Sequence, residues 1–151
     1  MISKDSILPM KIKTTMAITA KVTYNGHLTC TTMHVKSGSS MTTDAPIDNN
    51  GLGRTFSPTD LTAVSLATCI ITVMGIAANQ RSIVYDNISA EVTKIMTSNP
   101  RRIQRLEVAL TIGHEWTDKE RKVLEKVGIE CPVALSLHPD IEQVITFRYA
   151  V

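Results

Sequence analysis

The residues that could do chemistry are few, and the cysteines set the pattern. The chain has three, Cys30, Cys69 and Cys131. Cys69 lies in the middle of a long uncharged stretch, where a cysteine usually packs as a small apolar side chain. Cys131 stands directly before Pro132, sixty-two positions further on. Proline favours the first position of a helix, so Cys131 falls at a helix N-terminus, where orphan N–H groups and the dipole stabilise a thiolate. Neighbouring Glu130 opposes that effect, and simple capping is the structural alternative. Two thiols within reach of each other can pass between dithiol and disulfide, the second capturing an oxidised first. Cys30 sits beside Leu28 in an alternating segment and is expected to pack. A zinc site from Cys69, Cys131 and a histidine lacks any CxxC or HxxxH spacing, so no metal is expected.

Two charged residues flank the Cys69 stretch. Arg54 ends a Gly-rich loop, Pro46–Gly53, and is either a solvated loop residue or the cation that lowers a thiol pKa. Asp60 closes Ser57-Pro58-Thr59-Asp60, which has the form of a capping box with proline at the first helical position. On a regular helix Asp60 points about 180° away from Cys69. Its two readings are therefore a helix cap and a catalytic acid. His138, after the Cys131 segment, has the position of an electrostatic trim at a helix end.

The elements that must hold these residues follow from periodicity. Ile18, Ala20, Val22 and Tyr24 alternate with polar residues and predict a half-buried strand, followed by an Asn25-Gly26 hairpin turn. Further strands are expected over His27–Val35 and Ser40–Asp44. No residue from 61 to 80 is charged. Leu61–Ala78 approaches the length of a membrane span. Thr62, Ser65, Cys69 and Thr72 align on one stripe, however, which predicts a helix buried in protein with one face kept polar. Tyr85–Thr97 and Arg102–His114 read as long strands, the second with Leu106, Val108, Leu110 and Ile112 on one face. Thr117–Glu120 is a capping box opening an amphipathic helix that Gly128 is expected to stop. Pro132–Leu137 is a short helix, and Ile141–Val151 a last strand. The order predicts an α+β fold, with residues 1–15 a polar leader and 16–151 a single domain.

Composition bounds the function. The 151 residues carry a net charge of +2, from 16 Lys+Arg and 14 Asp+Glu, with no segment carrying a charge excess. That argues against a dedicated nucleic-acid binder or an electrostatic membrane binder. At 43% hydrophobic and 4% aromatic the chain is globular, with an aliphatic, Met-containing core and no visible aromatic platform. An odd, small number of cysteines and no apolar run of signal-peptide length suggest the cytoplasm, where thiols stay reduced.

Taken together, Ser57-Pro58-Thr59-Asp60-Leu61, the uncharged segment with Cys69, and Cys131-Pro132-Val133 resemble the OsmC/Ohr family, the osmotically inducible and organic hydroperoxide resistance proteins. The strand and helix order is similar too, from about residue 16 onward. The resemblance implies an OsmC-like fold of antiparallel strands around a long buried central helix, in an intertwined homodimer with its sites at the subunit interface. It implies reduction of organic or lipid hydroperoxides, with Cys69 as the attacking thiol and Cys131 as the resolving thiol of an intrachain disulfide. An external dithiol would return the enzyme to its reduced form, and no cofactor is implied. Family members place an arginine and a carboxylate beside the reactive cysteine. Arg54 is the candidate arginine. The family's peroxidases carry Glu ten positions before the cysteine, and here that position is Thr59, leaving Asp60 as the nearby acid. The missing Glu keeps an alternative open: a non-catalytic or redox-sensing module that binds an apolar ligand at the dimer interface.

Overall fold

The computed structural model describes residues 17–150; the polar leader expected over 1–15 lies outside them. The chain divides between Thr43 and Asp44 into two compact units.

The first unit is a three-stranded sheet in the order β1-β2-β3, formed by β1 (Ala20–Gly26), β2 (Thr29–His34) and β3 (Ser40–Asp44), the last residue of β3 belonging to the second unit. β1 and β2 are antiparallel, with Val22 opposite Thr32 and Tyr24 opposite Cys30. The hairpin turn is displaced from its expected place. Gly26 ends β1 at φ +84°, and His27 and Leu28 make the turn at φ +52° and +61°. Asn25 stays in the strand because its amide donates to Thr31 Oγ1 at 2.7 Å, and Thr29 Oγ1 returns to the Gly26 carbonyl at 2.8 Å. The alternation in β1 is as expected but its apolar side is not buried within one chain: Val22 and Tyr24 are 67% and 64% exposed.

The second unit begins at Asp44 and contains α1 (Pro58–Asn79), β4 (Ile88–Ser98), β5 (Arg101–Ile112), α2 (Asp118–Ile129), α3 (Pro132–Ser136) and β6 (Glu142–Tyr149). The architecture is α+β, as predicted. β4 and β5 pair antiparallel, whereas β6 lies parallel to β5 on its other side. Alternation along a strand says nothing about its direction. The reason lies in the connection: α2 and α3 carry the chain back across the sheet, the crossover that a parallel pair requires.

The core lies between this sheet and α1. Leu106, Val108, Leu110 and Ile112 are fully buried on β5, against Leu66, Ile70 and Met74 of α1. A register shift between Ile95 and Met96 turns Ile103 to the same side. α2 closes on α1 through Leu124 and Gly128. Gly128 is not the helix stop expected for it, since α2 runs on to Ile129. Its role is close approach: a Cβ there would stand 2.9 Å from Met74 Sδ and 3.1 Å from Ile70 Cγ2.

Three of the six aromatic residues gather at one place in the core. Tyr85 stacks on Trp116 with ring centroids 5.8 Å apart, and Trp116 meets Tyr149 edge-on at 6.1 Å. Arg121 lies 4.0 Å above the Tyr149 ring. Tyr85 also donates to the Ile71 carbonyl of α1 at 2.8 Å, and burial pushes its phenol up to about 12. Sequence distance hides such a cluster, because its members come from three separate segments.

Candidate active site at a thiol pair

α1 places Cys69 at mid-helix, half-buried, and α3 packs against α1 with Cys131 at its N-cap. The two side chains are neighbours, near enough for Cys69 to raise the Cys131 thiol. Both cysteines are free, as is Cys30, which lies on β2 opposite Tyr24 in the other unit. Cys131 is 1% exposed. Its Sγ accepts the Ala134 N–H at 3.5 Å, and its own N–H reaches the Gly128 carbonyl at 3.2 Å.

The helix N-terminus does not make Cys131 a thiolate, as its sequence position suggested. Burial pushes its thiol up, and the neighbouring Cys69 adds to that, while the Ala134 and Val133 N–H groups only partly oppose it. At neutral pH Cys131 is a protonated thiol held beside a second sulfur.

The hydroxyl stripe around Cys69 also differs from expectation. Thr62 Oγ1 donates to the Pro58 carbonyl at 3.2 Å, Ser65 Oγ to Thr62 at 2.7 Å, and Thr68 Oγ1 to Val64 at 3.0 Å. Bonds back to the helix's own carbonyls satisfy these hydroxyls. Thr68, whose hydroxyl is so engaged, shares the outer face with Ile76, which is 52% exposed.

Asp60 completes the capping box. Its N–H reaches Ser57 Oγ at 3.2 Å, and its Oδ2 accepts the Ser57 N–H at 2.8 Å. Its Oδ1 accepts Lys94 Nζ at 2.6 Å, in a lysine that also donates to Thr59 Oγ1 at 2.8 Å. Burial would raise the Asp60 carboxyl, but the bonds from Lys94 and Ser57 outweigh it and hold the group below its ordinary value. Nine residues of helix put Asp60 about 13 Å along the axis from Cys69. Beside this turn, Phe56, Ala63, Val64 and Val92 wall a cleft of about 590 Å³ with Lys94 and Asp60 at its polar end.

Arg54 is held by a different acid. Its Nε and its main-chain N–H both donate to Asp44 Oδ2, at 2.7 and 3.1 Å. Asp44 is 1% exposed at the end of β3, and the Arg54 guanidinium holds its carboxyl below the usual range. Among the described residues the two terminal nitrogens of Arg54 take no acceptor, and its side chain is 53% exposed. Gly51 makes the loop between the two tight enough: a Cβ there would overlap the Ala45 carbonyl oxygen. Thus the structure brings Cys69 and Cys131 together and holds Arg54 and Asp60 on partners of their own.

Sequence reasoning missed Lys94 and Asp44. Lys94 carried a signal, since it follows Ile88, Ala90 and Val92 in the period-two series that faces α1. Asp44 had a weaker one, an acid closing a strand just before a loop that returns to a lone arginine.

Asp60→Asn should cost about 1 kcal/mol or less, because the Asn amide oxygen can still accept the Ser57 N–H of the capping box. A depressed carboxyl stabilises the fold above its unfolded value and loses that contribution as pH falls through its folded one. The wild type should therefore exceed the variant in chemical denaturation at about pH 7, and the gap should fade below the ordinary 3.8. A gap that persisted in acid would remove the ion pair as its cause.

The comparisons agree with this fold. Residues 51–145 match the family of OsmC-like proteins. A crystal structure from Psychrobacter arcticus 273-4, of a protein assigned to an osmotic stress induced and detoxification response, is 44% identical. It superposes with a TM-score of 0.84 over 87% of this chain and 96% of that one. An organic hydroperoxide resistance protein OsmC of Legionella pneumophila is 21% identical, with a TM-score of 0.63 over 85% and 94% of the two chains. The organic hydroperoxide resistance protein OhrB of Bacillus subtilis is 18% identical, with a TM-score of 0.62 over 87% and 98%. These two share the fold. None of the curated proteins compared with the chain matches it. With the helix-borne cysteine, the Cys-Pro thiol against it and more than half the sequence matched, the chain belongs to the family of OsmC-like proteins.

Proposed function

We propose that this protein is a cysteine-based peroxidase that reduces organic or lipid hydroperoxides in the cytoplasm, cycling through a Cys69–Cys131 disulfide. The observation that carries this reading is the contact between two free thiols, one half-buried on a helix and one enclosed behind it. The Cys69 sulfur attacks the terminal peroxide oxygen. The O–O bond breaks, and the alkoxide leaves and takes up a proton as the alcohol. Cys69 is then a sulfenic acid. Cys131 gives up its proton and attacks the Cys69 sulfur, and the hydroxide leaves as water. A dithiol from outside reduces the disulfide. The names of the Legionella and Bacillus structures, both of organic hydroperoxide resistance proteins, support the substrate class.

The apolar outer face of α1 supports a homodimer. A 22-residue helix, uncharged from Leu61 onward, has its inner face on the sheet, but Thr68, Thr72 and Ile76 are exposed on its outer side. A second copy would cover them, and Arg54, whose terminal nitrogens take no acceptor among the described residues, is the cation we assign to the Cys69 thiolate.

The competing reading, a non-catalytic module for an apolar ligand, draws on one observation: Asp60 is fully engaged by the cap and Lys94. Cumene hydroperoxide separates the two. It should consume two of the three thiols in the reduced protein and link Cys69 to Cys131, leaving Cys30 free in a peptide map. In Cys131→Ser, oxidation should stop at a Cys69 sulfenic acid or climb further up the ladder. No oxidation at excess peroxide would give the lead to the binding module. Arg54→Met should move the pH dependence of Cys69 alkylation upward, about one pH unit being a tenfold change in thiolate population, and an unmoved profile would take Arg54 out of the site. Sedimentation at micromolar concentration should show a dimer, with an interface well over ~2,000 Å². A stable folded monomer would exclude an interface site.

A further inference from the structure

α3 is five residues long, Pro132–Ser136, too short to persist on its own main-chain bonds. Proline at its first position brings no N–H. The Ala134 N–H is taken by Cys131 Sγ at 3.5 Å, and the Leu135 N–H by the Cys131 carbonyl at 3.1 Å. From outside, Gln143 of β6 donates its amide to the Ala134 carbonyl at 3.0 Å. The sulfur that caps this helix is the sulfur that meets Cys69. The two duties conflict. A disulfide requires the sulfurs at about 2.05 Å, and a Cys131 Sγ drawn onto Cys69 is drawn off an N–H that it holds at 3.5 Å, the long end of bonding distance.

We propose that α3 is a redox-responsive gate: closing the Cys69–Cys131 bond removes its cap, and the loosened helix opens the enclosed Cys131 sulfur to the external dithiol. This rests on the thiol-pair reading above. The electron balance is complete. Two thiols and one hydroperoxide give the disulfide, the alcohol and water. A thiolate of the dithiol then attacks Cys131 Sγ, Cys69 leaves as thiolate, and the second thiol resolves the mixed disulfide and frees Cys131. Attack at Cys131 is the direction that the gate serves. The better leaving group is the sulfur of lower pKa, and burial makes Cys131 a poor one. The reductant must therefore reach a sulfur that is 1% exposed in the reduced protein, and α3 is the short helix whose N-terminus encloses it.

Amide hydrogen exchange at Ala134 in the full chain tests the gate. Oxidation with one equivalent of cumene hydroperoxide should speed exchange there about fivefold, the loss expected of a helix cap. Cys131→Ala has neither cap nor disulfide and should exchange at the oxidised rate without peroxide. Cys131→Ser keeps an acceptor at the N-cap and cannot close the bond, so its Ala134 amide should stay protected with or without peroxide. Gln143→Leu cuts the other tie and should speed reduction of the disulfide by dithiothreitol several-fold. A confirmed disulfide with unchanged Ala134 exchange, or an unchanged reduction rate in Gln143→Leu, would overturn the gate and leave the peroxidase reading standing. Failure of the wild type to form the disulfide would overturn both.

Discussion

A helix without a charge from Leu61 to its last residue, Asn79, has to find apolar partners, and the Asp44–Ala150 unit is built around that need. One side of α1 is answered by β5, whose alternation sets Leu106, Val108, Leu110 and Ile112 against Leu66, Ile70 and Met74. α2 answers a second sector, with Gly128 letting the two helices approach until Met74 and Ile70 fill the space of a missing side chain. α3 covers a third, and thereby places Cys131 over Cys69. The thiol pair is thus a by-product of burial in the geometric sense: the chain that shields α1 is the chain that carries the second sulfur.

Electrostatics enter at the ends of this packing. Lys94, half-buried on the sheet, spreads its three donors over Asp60, Thr59 and Ser57 and fixes the first turn of α1 to β4. Asp44 does the same for the loop before it, taking the side chain and the main chain of Arg54 on one oxygen. Each pair joins an acid to a cation across a stretch that apolar contacts alone would leave loosely positioned. They also keep the two acids apart in function. Asp60 anchors the helix, and Asp44 orients the arginine.

The helices and β5 were legible because their signals are local. Ser57-Pro58 and Thr117–Glu120 mark starts that both capping boxes realise, and the β5 alternation gives its buried face residue by residue. What was hidden depends on partners distant in sequence. The parallel entry of β6 is set by the crossover and not by the strand. Gly128 carries a stop signal that tertiary contact with Met74 overrides. The acid beside Arg54 is ten residues upstream, where no helical spacing connects them. The hydroxyl stripe illustrates a different limit, since a list of residue types counts Thr62, Ser65 and Thr68 as polar, while their bonds to α1's own carbonyls remove that polarity from the surface. The cysteine pair was readable as a pair through family resemblance, and only the fold gives the burial that keeps Cys131 protonated.

The crossover that carries Cys131 has a consequence for a chain under synthesis. Cys69 leaves the ribosome sixty-two residues before Cys131, an interval of roughly 3–12 s at ordinary translation rates. The whole of α2 lies between the two cysteines and is also made before Cys131. Until then a sulfenic acid on Cys69 lacks its Cys131 partner and stands open to irreversible oxidation. On the proposed cycle the chain is most vulnerable to over-oxidation while it is being made, and newly translated chains would carry over-oxidised Cys69 in greater proportion than mature ones.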